Sequence, residues 1–343
     1  MSSVSIRTLD DAADAAWDRF VGDCAEASFF HRAGWRRVLE NGVGHRANFL
    51  YAERDGSIEG VLPLGHVRSR LFGNALISAP FSVYGGVAAL TEEARGALTA
   101  EAVRLAEKLG VDYLEMRNRK PANPGWPSKD LYVTFRKEID PDPEKNLLAI
   151  PRKQRAMVRK GIKAGLQGVI DKGVDRFFHA YSSSVRNLGT PVFPKRLFMT
   201  LKQEFGDACE VLTVEREGRV VASVMSFYFR DEVLPYYGGG TDEARDVKGN
   251  DFMYWDLMRR AAERGLHWFD YGRSKVGTGS YSFKKNWGFE PQPLAYEFHL
   301  VKAKDLPDVN PLNPKYRLFI EVWKRLPLGV SQRLGPLIAK NLG

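Results

Sequence analysis

The segment FLYAERDGSIEGVLPL, residues 49–64, has a counterpart later in the chain, VLTVEREGRVVASVMSF, residues 211–227. Each contains two runs of strand-favouring residues separated by an acidic residue and a glycine, Asp55-Gly56 and Glu217-Gly218. Such a pair favours the tight turn of a β-hairpin, because glycine readily adopts the positive φ angle that this turn requires. The sequence therefore predicts the same hairpin twice, which is the first sign of an internal duplication.

The elements that follow the two hairpins also correspond. A YGG triplet occurs after each hairpin, at 84–86 and 237–239, and an amphipathic helix comes next in both halves. Each helix reaches a glycine suited to a left-handed C-cap, Gly110 or Gly265, and then leads into a further strand. This order predicts an α/β unit of the α+β kind, with a mixed, mostly antiparallel sheet flanked by helices.

The overall composition is that of a globular protein with two domains. The chain has 343 residues, of which 44% are hydrophobic and 27% are charged. Two cysteines and six scattered histidines provide neither a disulfide framework nor the spacing of a metal site, so we expect no metal. The net charge of +9 indicates attraction to polyanions without specifying which one.

Signals for membrane insertion or export are weak. The most apolar run, residues 75–90, is shorter than the roughly 20 residues that span a bilayer, and proline and glycine interrupt it. The first residues lack the apolar core of a secretory signal, so we expect a cytoplasmic protein. The tail, residues 306–343, is basic and amphipathic. It either packs on the domains or, through residues 316–343, contacts the inner face of a membrane.

Residues 146–165, NLLAIPRKQRAMVRKGIKAG, predict a basic linking helix between the two halves. Four cations, Arg152, Arg155, Arg159 and Lys163, share one helical face. Val158 and Ile162 lie on a neighbouring apolar stripe. The charged face is either a solvated surface or the binding site of an anionic partner. Like charges four residues apart repel one another, and an anionic partner would remove that cost.

Four segments together resemble one known family. They are PRKQRAMVRKG (151–161), LGTPVFPKRLF (188–198), YYGGG (236–240) and FDYGRSKVGTGSYSFKKNWGF (269–289). The chain resembles the FemAB-related branch of the GNAT superfamily, in particular the two-domain FemAB-like proteins found with bacterial exosortase and exopolysaccharide systems. The resemblance implies tandem duplicated GNAT-like (acyl-CoA N-acyltransferase) domains, residues 1–145 and 166–305, with the active site in the second.

The family resemblance also implies an activity. Its members transfer an acyl or aminoacyl group to an amine, here expected on a cell-envelope or exopolysaccharide precursor. The expected co-substrate is an anionic acyl carrier, either acyl-ACP, acyl-CoA or aminoacyl-tRNA, with no permanently bound cofactor. The alternative is a non-catalytic protein that binds nucleic acid or another polyanion. No helix-turn-helix, RRM or zinc-finger pattern supports it, and DNA is not an expected partner.

Three residues of the 269–289 segment are candidates for catalysis. By likeness to the Fem signature, Lys284 is the group expected to hold the negative charge that develops during acyl transfer. Asp270, at a strand end, is either a general base or the ion-pair partner of Arg273. Tyr271 is a candidate proton donor to the departing group. No Ser-His-Asp or Cys-His arrangement is visible, which favours direct attack by the acceptor amine.

A larger set of residues is predicted to bind the donor or substrate. The set is Arg152, Arg155, Arg159, Tyr237, Gly238, Gly239, Gly249, Arg273, Ser274, Tyr281, Phe283, Lys285 and Trp287. The aromatic spacing from Tyr281 to Phe289 suits a strand face or the wall of a groove. The glycines of 238–240 suit a close approach of backbone to ligand. We expect no helix after Gly277 and Gly279, and therefore no dinucleotide site.

Overall fold

The computed structural model describes residues 3–69, 73–307 and 317–341. These form two compact units. The first comprises the described residues up to 132 together with 293–307 and 340–341, and the second comprises 133–292 and 317–339. The unit boundaries differ from the sequence expectation, because residues 133–145 and the basic helix belong to the second unit and 293–305 to the first. The basic helix is therefore part of a domain rather than a linker.

The strands are numbered along the chain. They are β1 (Ser5–Thr8), β2 (Arg46–Arg54), β3 (Ser57–Ser69), β4 (Gly73–Ser78), β5 (Ala88–Ala89), β6 (Tyr113–Asn118), β7 (Ser128–Lys129), β8 (Tyr132–Glu138), β9 (Gln167–Asp171), β10 (Cys209–Arg216), β11 (Arg219–Phe229), β12 (Glu232–Gly240), β13 (Trp268–Asp270), β14 (Ser274–Lys275), β15 (Pro291–Pro293) and β16 (Ala295–Leu300).

The α-helices are numbered in the same way. They are α1 (Asp14–Asp23), α2 (Gly34–Arg37), α3 (Glu92–Leu109), α4 (Pro143–Ala149), α5 (Arg152–Lys163), α6 (Asp175–Asn187), α7 (Lys195–Phe205), α8 (Glu243–Val247), α9 (Gly249–Glu263), α10 (Gly279–Asn286), α11 (Arg317–Lys324) and α12 (Leu328–Ala339). No helix of the described residues is both long enough and apolar enough to cross a bilayer.

Each unit contains one mixed sheet. The strand order is β1-β2-β3-β4-β6-β16-β7 in the first unit and β14-β8-β13-β12-β11-β10-β9 in the second, with β5 beside β3 and β15 beside β8. One parallel pair occurs in each sheet, β4 with β6 and β12 with β13, and the other pairs whose register is known are antiparallel. The predicted duplicated α+β fold, with mixed and mostly antiparallel sheets, is confirmed.

Both predicted hairpins are present. Strands β2 and β3 are joined at Asp55 and Gly56, with φ angles of 50° and 79°. Strands β10 and β11 are joined at Glu217 and Gly218, with φ angles of 52° and 76°. Two consecutive positive φ angles match the twist of the flanking strands, which explains why an acidic residue followed by glycine closes both turns.

Each sheet also contains a strand from the segment that was predicted to form the other domain. Strand β16, which follows the second repeat, lies between β6 and β7 of the first sheet. Strand β8, which follows the first repeat, pairs with β13 of the second sheet. The segments predicted for the two domains therefore exchange a strand, although the strands of the second sheet all lie within residues 132–293.

Candidate active site

The parallel strands β12 and β13 separate soon after they begin to pair. Only Glu232 and Val233 of β12 lie opposite residues of β13, although β12 continues to Gly240. Pro235 and Tyr237 pair with consecutive residues of β11, so Tyr236 is the extra residue of a β-bulge. A bulge bends its strand and changes the direction of its backbone groups. The two strands are therefore no longer paired beside the bulge, at the carboxyl end of β13.

The corresponding parallel pair of the first unit is covered by a buried loop, residues 79–86. The backbone N–H groups of Gly85 and Gly86 donate hydrogen bonds to the carbonyl oxygen of Arg117, at 3.0 and 3.1 Å. The backbone N–H of Arg117 donates to the hydroxyl of Ser78 at 2.7 Å. These hydrogen bonds fix the loop against the end of β6, so the first unit offers, among its described residues, no unpaired strand end there comparable to that of β13. The second unit is therefore the better candidate for the site.

The segment that carries Lys284 is a helix, α10, rather than the predicted strand face. Its N-cap is Thr278, whose hydroxyl accepts a hydrogen bond from the backbone N–H of Tyr281 at 3.4 Å. This cap stabilises the first turn. The expectation that no helix follows Gly277 and Gly279 is therefore wrong. The even aromatic spacing suggested a strand, whereas the threonine cap was the signal for a helix.

Helix α10 directs the ammonium group of Lys284 towards the end of β13. Its Nζ donates hydrogen bonds to the carbonyl oxygens of Gly272 and Arg273, each at 3.0 Å, and lies 5.7 Å from the ring centre of Phe135. Burial lowers the pKa of Lys284 to about 7, although the nearby carboxylate of Asp270 acts in the opposite direction. Lys284 is therefore present in both protonation states near neutral pH.

Asp270 is fully buried at the last position of β13. Its carboxylate accepts hydrogen bonds from the backbone N–H of Gly272 at 2.7 Å and from the hydroxyl of Thr134 at 3.3 Å. These bonds hold the turn whose carbonyls bind Lys284. The geometry favours a positioning role for Asp270 over that of a general base, because its oxygens are engaged and out of contact with solvent.

Tyr271 belongs to the aromatic core below the site. Its ring centre lies 4.9 Å from those of Tyr254 and Phe269 and 4.7 Å from that of Phe289. Burial raises the pKa of Tyr271 well above its usual value, and its hydroxyl has no hydrogen-bond partner among the described residues. These surroundings favour packing over the predicted role as a proton donor, because a proton donor has to reach the reacting group.

Several predicted binding residues of β12 and α9 have packing roles. A Cβ atom on Gly239 would lie 2.4 Å from the Cβ of Ser184, and one on Gly249 would lie 2.5 Å from Val221. Tyr237 is buried in an aromatic cluster. Gly238 has more space, since a Cβ there would first meet the hydroxyl of Tyr254 at 3.2 Å. Close helix packing thus explains these glycines without a ligand.

The remaining predicted residues of the 269–289 segment divide by exposure. Trp287 is fully buried and donates a hydrogen bond from its indole nitrogen to Asp251 at 3.3 Å, so it is a core residue. Ser274 is buried, with its hydroxyl unpartnered among the described residues. Lys285 is exposed. Only the partly exposed members remain candidate site residues: Arg273, Tyr281, Phe283 and Lys284.

Helix α5 presents its basic face to solvent. Five of its six cations line a shallow depression of about 350 Å³, and none of the six forms an ion pair with a carboxylate of the described residues. Arg155 donates a hydrogen bond to the carbonyl oxygen of Leu148 at 2.8 Å. The buried face packs on α9 through Val158 and Gly161, whereas Ile162 is exposed, contrary to the predicted apolar stripe. Glycine allows the closer helix contact.

Sequence reasoning missed some of the residues around Lys284. Thr134 and Phe135 come from β8, which precedes the site by more than a hundred positions, and no local motif marks them. Tyr254 has the spacing of a core position on α9. Asp251, in the first turn of the same helix, accepts a hydrogen bond from the side chain of Gln154 on α5. The pair connects the basic helix to α9.

Comparison with known proteins agrees with this geometry. A family model described as an acetyltransferase (GNAT) domain matches residues 152–285. This part of the chain is similar to GNAT domains. The match begins at helix α5 and ends within α10, so it covers both the diverging strands and Lys284. No curated protein sequence matches the chain.

Solved structures extend the likeness to the whole fold. The chain is similar to FemX, with a TM-score of 0.66 and 15% identity over 92% of this chain and 100% of FemX. It is similar to a tandem GNAT protein from the clavulanic acid biosynthesis pathway, with a TM-score of 0.55 and 13% identity over 88% and 100% of the two chains.

A third structure with the same fold is the C-terminal (DUF2156) domain assigned to a lysylphosphatidylglycerol synthetase of Agrobacterium fabrum. It has a TM-score of 0.55 and 14% identity over 84% of this chain and 92% of that domain. At these identities the likeness concerns the fold alone. The predicted resemblance to FemAB-like GNAT acyltransferases is confirmed at that level.

Proposed function

We propose that the second unit transfers an acyl or aminoacyl group from a macromolecular carrier to an amine. One observation carries the proposal: a lysine with a pKa of about 7 lies at the carboxyl end of β13, where the parallel pair opens beside the β12 bulge. Lys284 supplies a positive charge at this place when its Nζ is protonated.

The chemistry requires a stabilised oxyanion. The acceptor nitrogen attacks the carrier's acyl carbon and the new C–N bond forms. The bond from that carbon to the carrier's sulfur or oxygen breaks, the electron pair leaves with the sulfur or oxygen, and the proton lost by the amine ends on that atom. Protonated Lys284 would stabilise the negative charge on the carbonyl oxygen. Fixed donors of this kind lower barriers most where water is excluded.

The first turn of α9 argues against coenzyme A as the carrier. A helix N-terminus binds phosphate when its N–H groups are accessible and no negative charge competes. Here the carboxylate of Asp251 occupies the first turn, and Ala244 of α8 packs against Gly249. The unpaired cations of α5 are the better anion site. They extend along a helix face of twelve residues, which suits a large carrier.

The family resemblance and one similar structure bear on the acceptor. FemAB-like proteins occur with exopolysaccharide systems, and lysylphosphatidylglycerol is an aminoacyl group joined to a lipid. The first supports an amine-bearing precursor of the cell envelope as acceptor, whereas the lipid of the second accepts its lysyl group on a hydroxyl.

The proposal is tested by supplying labelled acyl-CoA, acyl-ACP and aminoacyl-tRNA in parallel, with an amino sugar and a lysine-containing envelope peptide as acceptors. We expect label transfer from a macromolecular carrier. Lys284→Met should reduce the rate roughly 100- to 1000-fold, the cost of removing one oxyanion donor. Lys285→Met, which changes an exposed neighbour on the same helix, should leave the rate unchanged.

The carrier surface is tested separately. Reversing two exposed charges, Arg152→Glu with Arg159→Glu, should raise KM for the carrier with little change in kcat, and the effect should weaken at high salt. Full activity of Lys284→Met would overturn the catalytic assignment. Tight, salt-sensitive binding of RNA without transfer from any carrier would instead support the non-catalytic alternative.

A further inference from the structure

The C-terminal helices α11 and α12 dock on α6 through one face. The side chain of Ile320 lies where a Cβ on Gly189 would be, at 2.4 Å, so only glycine fits there. The amide of Gln332 donates a hydrogen bond to the hydroxyl of Ser182 at 2.8 Å, and Trp323 is buried. The packing explanation of the tail is therefore correct for this face.

The other face of each helix is apolar and exposed. Its large side chains are Leu318, Phe319 and Val322 on α11 and Val330, Leu334 and Leu337 on α12. Leu318 is 76% exposed and Leu337 is 62% exposed. On α12 the three residues follow the i, i+4, i+7 spacing of one helix face. Exposed apolar residues are ordinary when they are single, whereas a repeated stripe indicates a contact surface.

Positive charge accompanies the apolar stripes. Residues 317–341 contain five cations and one acid. That acid, Glu321, pairs with Lys324 at 3.0 Å, whereas Arg325 and Arg333 are exposed and form no ion pair with any carboxylate of the described residues. An apolar stripe bordered by unpaired arginines is complementary to a surface that is apolar inside and negatively charged outside.

We propose that α11 and α12 hold the protein on an anionic lipid surface. Helices of this composition lie in the interface plane, with apolar side chains among the acyl chains and arginines at the headgroups. A second copy of the chain fits less well, because a two-fold interface would bring the unpaired arginines of each copy towards those of the other. The inference does not depend on the acyl-transfer proposal and uses different residues.

Vesicle flotation of the full chain tests the inference. We expect the protein to float with vesicles of phosphatidylglycerol and phosphatidylcholine and to stay at the bottom with phosphatidylcholine alone. Replacing Arg325 and Arg333 by glutamine should weaken binding about 25-fold, roughly fivefold for each charge. Leu334→Ser with Leu337→Ser should weaken it at least about tenfold.

A matched control separates the tail from general surface hydrophobicity. Leu90, which is 65% exposed in the first unit, should be replaceable by serine without effect on flotation. Unchanged melting temperatures of the variants would exclude unfolding as the cause. The inference is overturned if the unaltered protein does not float with anionic vesicles, or if Leu334→Ser with Leu337→Ser floats equally well. A dimer that these two changes dissociate, without vesicle binding, would assign the surface to a second copy.

Discussion

Replacing Lys284 by methionine should stabilise the folded protein, by an amount that depends on pH. The unfolded chain holds the lysine proton up to its ordinary pKa of 10.5, whereas the folded protein releases it near 7. Between pH 7 and pH 10.5 the lysine loses its proton on folding. The free-energy penalty of folding with a lysine at this site therefore increases as the pH falls towards 7, and it levels off below that pH. Methionine has a similar shape and carries no such cost.

The size of the effect follows from the shift. At about 1.4 kcal/mol per pKa unit, the penalty is about 2 kcal/mol at pH 9 and about 4 kcal/mol at pH 7. Part of the side chain is exposed and water screens its charge, so we expect about half of these values. Loss of the two hydrogen bonds to the carbonyls of Gly272 and Arg273 offsets part of the gain equally at both pH values.

Urea titrations monitored by tryptophan fluorescence at pH 7 and pH 9 measure the effect. The difference in unfolding free energy between Lys284→Met and the unaltered protein should be about 1 kcal/mol larger at pH 7 than at pH 9. Lys285→Met, at the exposed neighbouring position, should show no such pH dependence. An equal difference at both pH values would refute the reasoning, because it would mean that the Lys284 pKa is ordinary.

Three further predictions concern packing and buried charge. Gly239→Ala should cost about 1–3 kcal/mol of stability through its contact with the helix above it, whereas Gly279→Ala, which faces open space, should not lower the melting temperature. Arg117→Met should lower the free energy of unfolding by about 3–5 kcal/mol, because it leaves the buried carboxylate of Glu115 without its partner. Arg104→Met, which removes an exposed ion pair, should leave the urea midpoint unchanged. Burial raises the pKa of Asp251, so the contribution of this residue to stability should fall as the pH rises from 4 to 6. Asp251→Asn should therefore gain stability relative to the unaltered protein over this range, measured as urea midpoints at both pH values.

The sequence predicted the elements that depend on local chemistry. The hairpins were visible because a turn with two positive φ angles needs a small set of residues, and the helix ends at Gly110 and Gly265 were visible for the same reason. The basic face of α5 was also predicted correctly, since charges at helical spacing share a face.

The prediction was less successful where distant residues decide the outcome. Which strand lies beside β6 or β13 depends on packing across the whole chain, so the strand exchange had no local signal. Tyr237 and Trp287 lie next to motif residues, yet their large apolar surfaces are buried in cores that only the tertiary structure defines. Gly238 to Gly240 accommodate the helices packed against them rather than serving an obvious ligand.

The exchange of β8 and β16 affects how the protein is made. A nascent chain that has just completed residue 145 already contains most of the first sheet, but β6 still lacks the neighbour that is synthesised more than a hundred residues later. Until then its edge has unpaired backbone groups, which favour association with other chains. Separate expression of the two halves should therefore give insoluble fragments, and synthesis in the cell should rely on chaperones until the ribosome has passed residue 300.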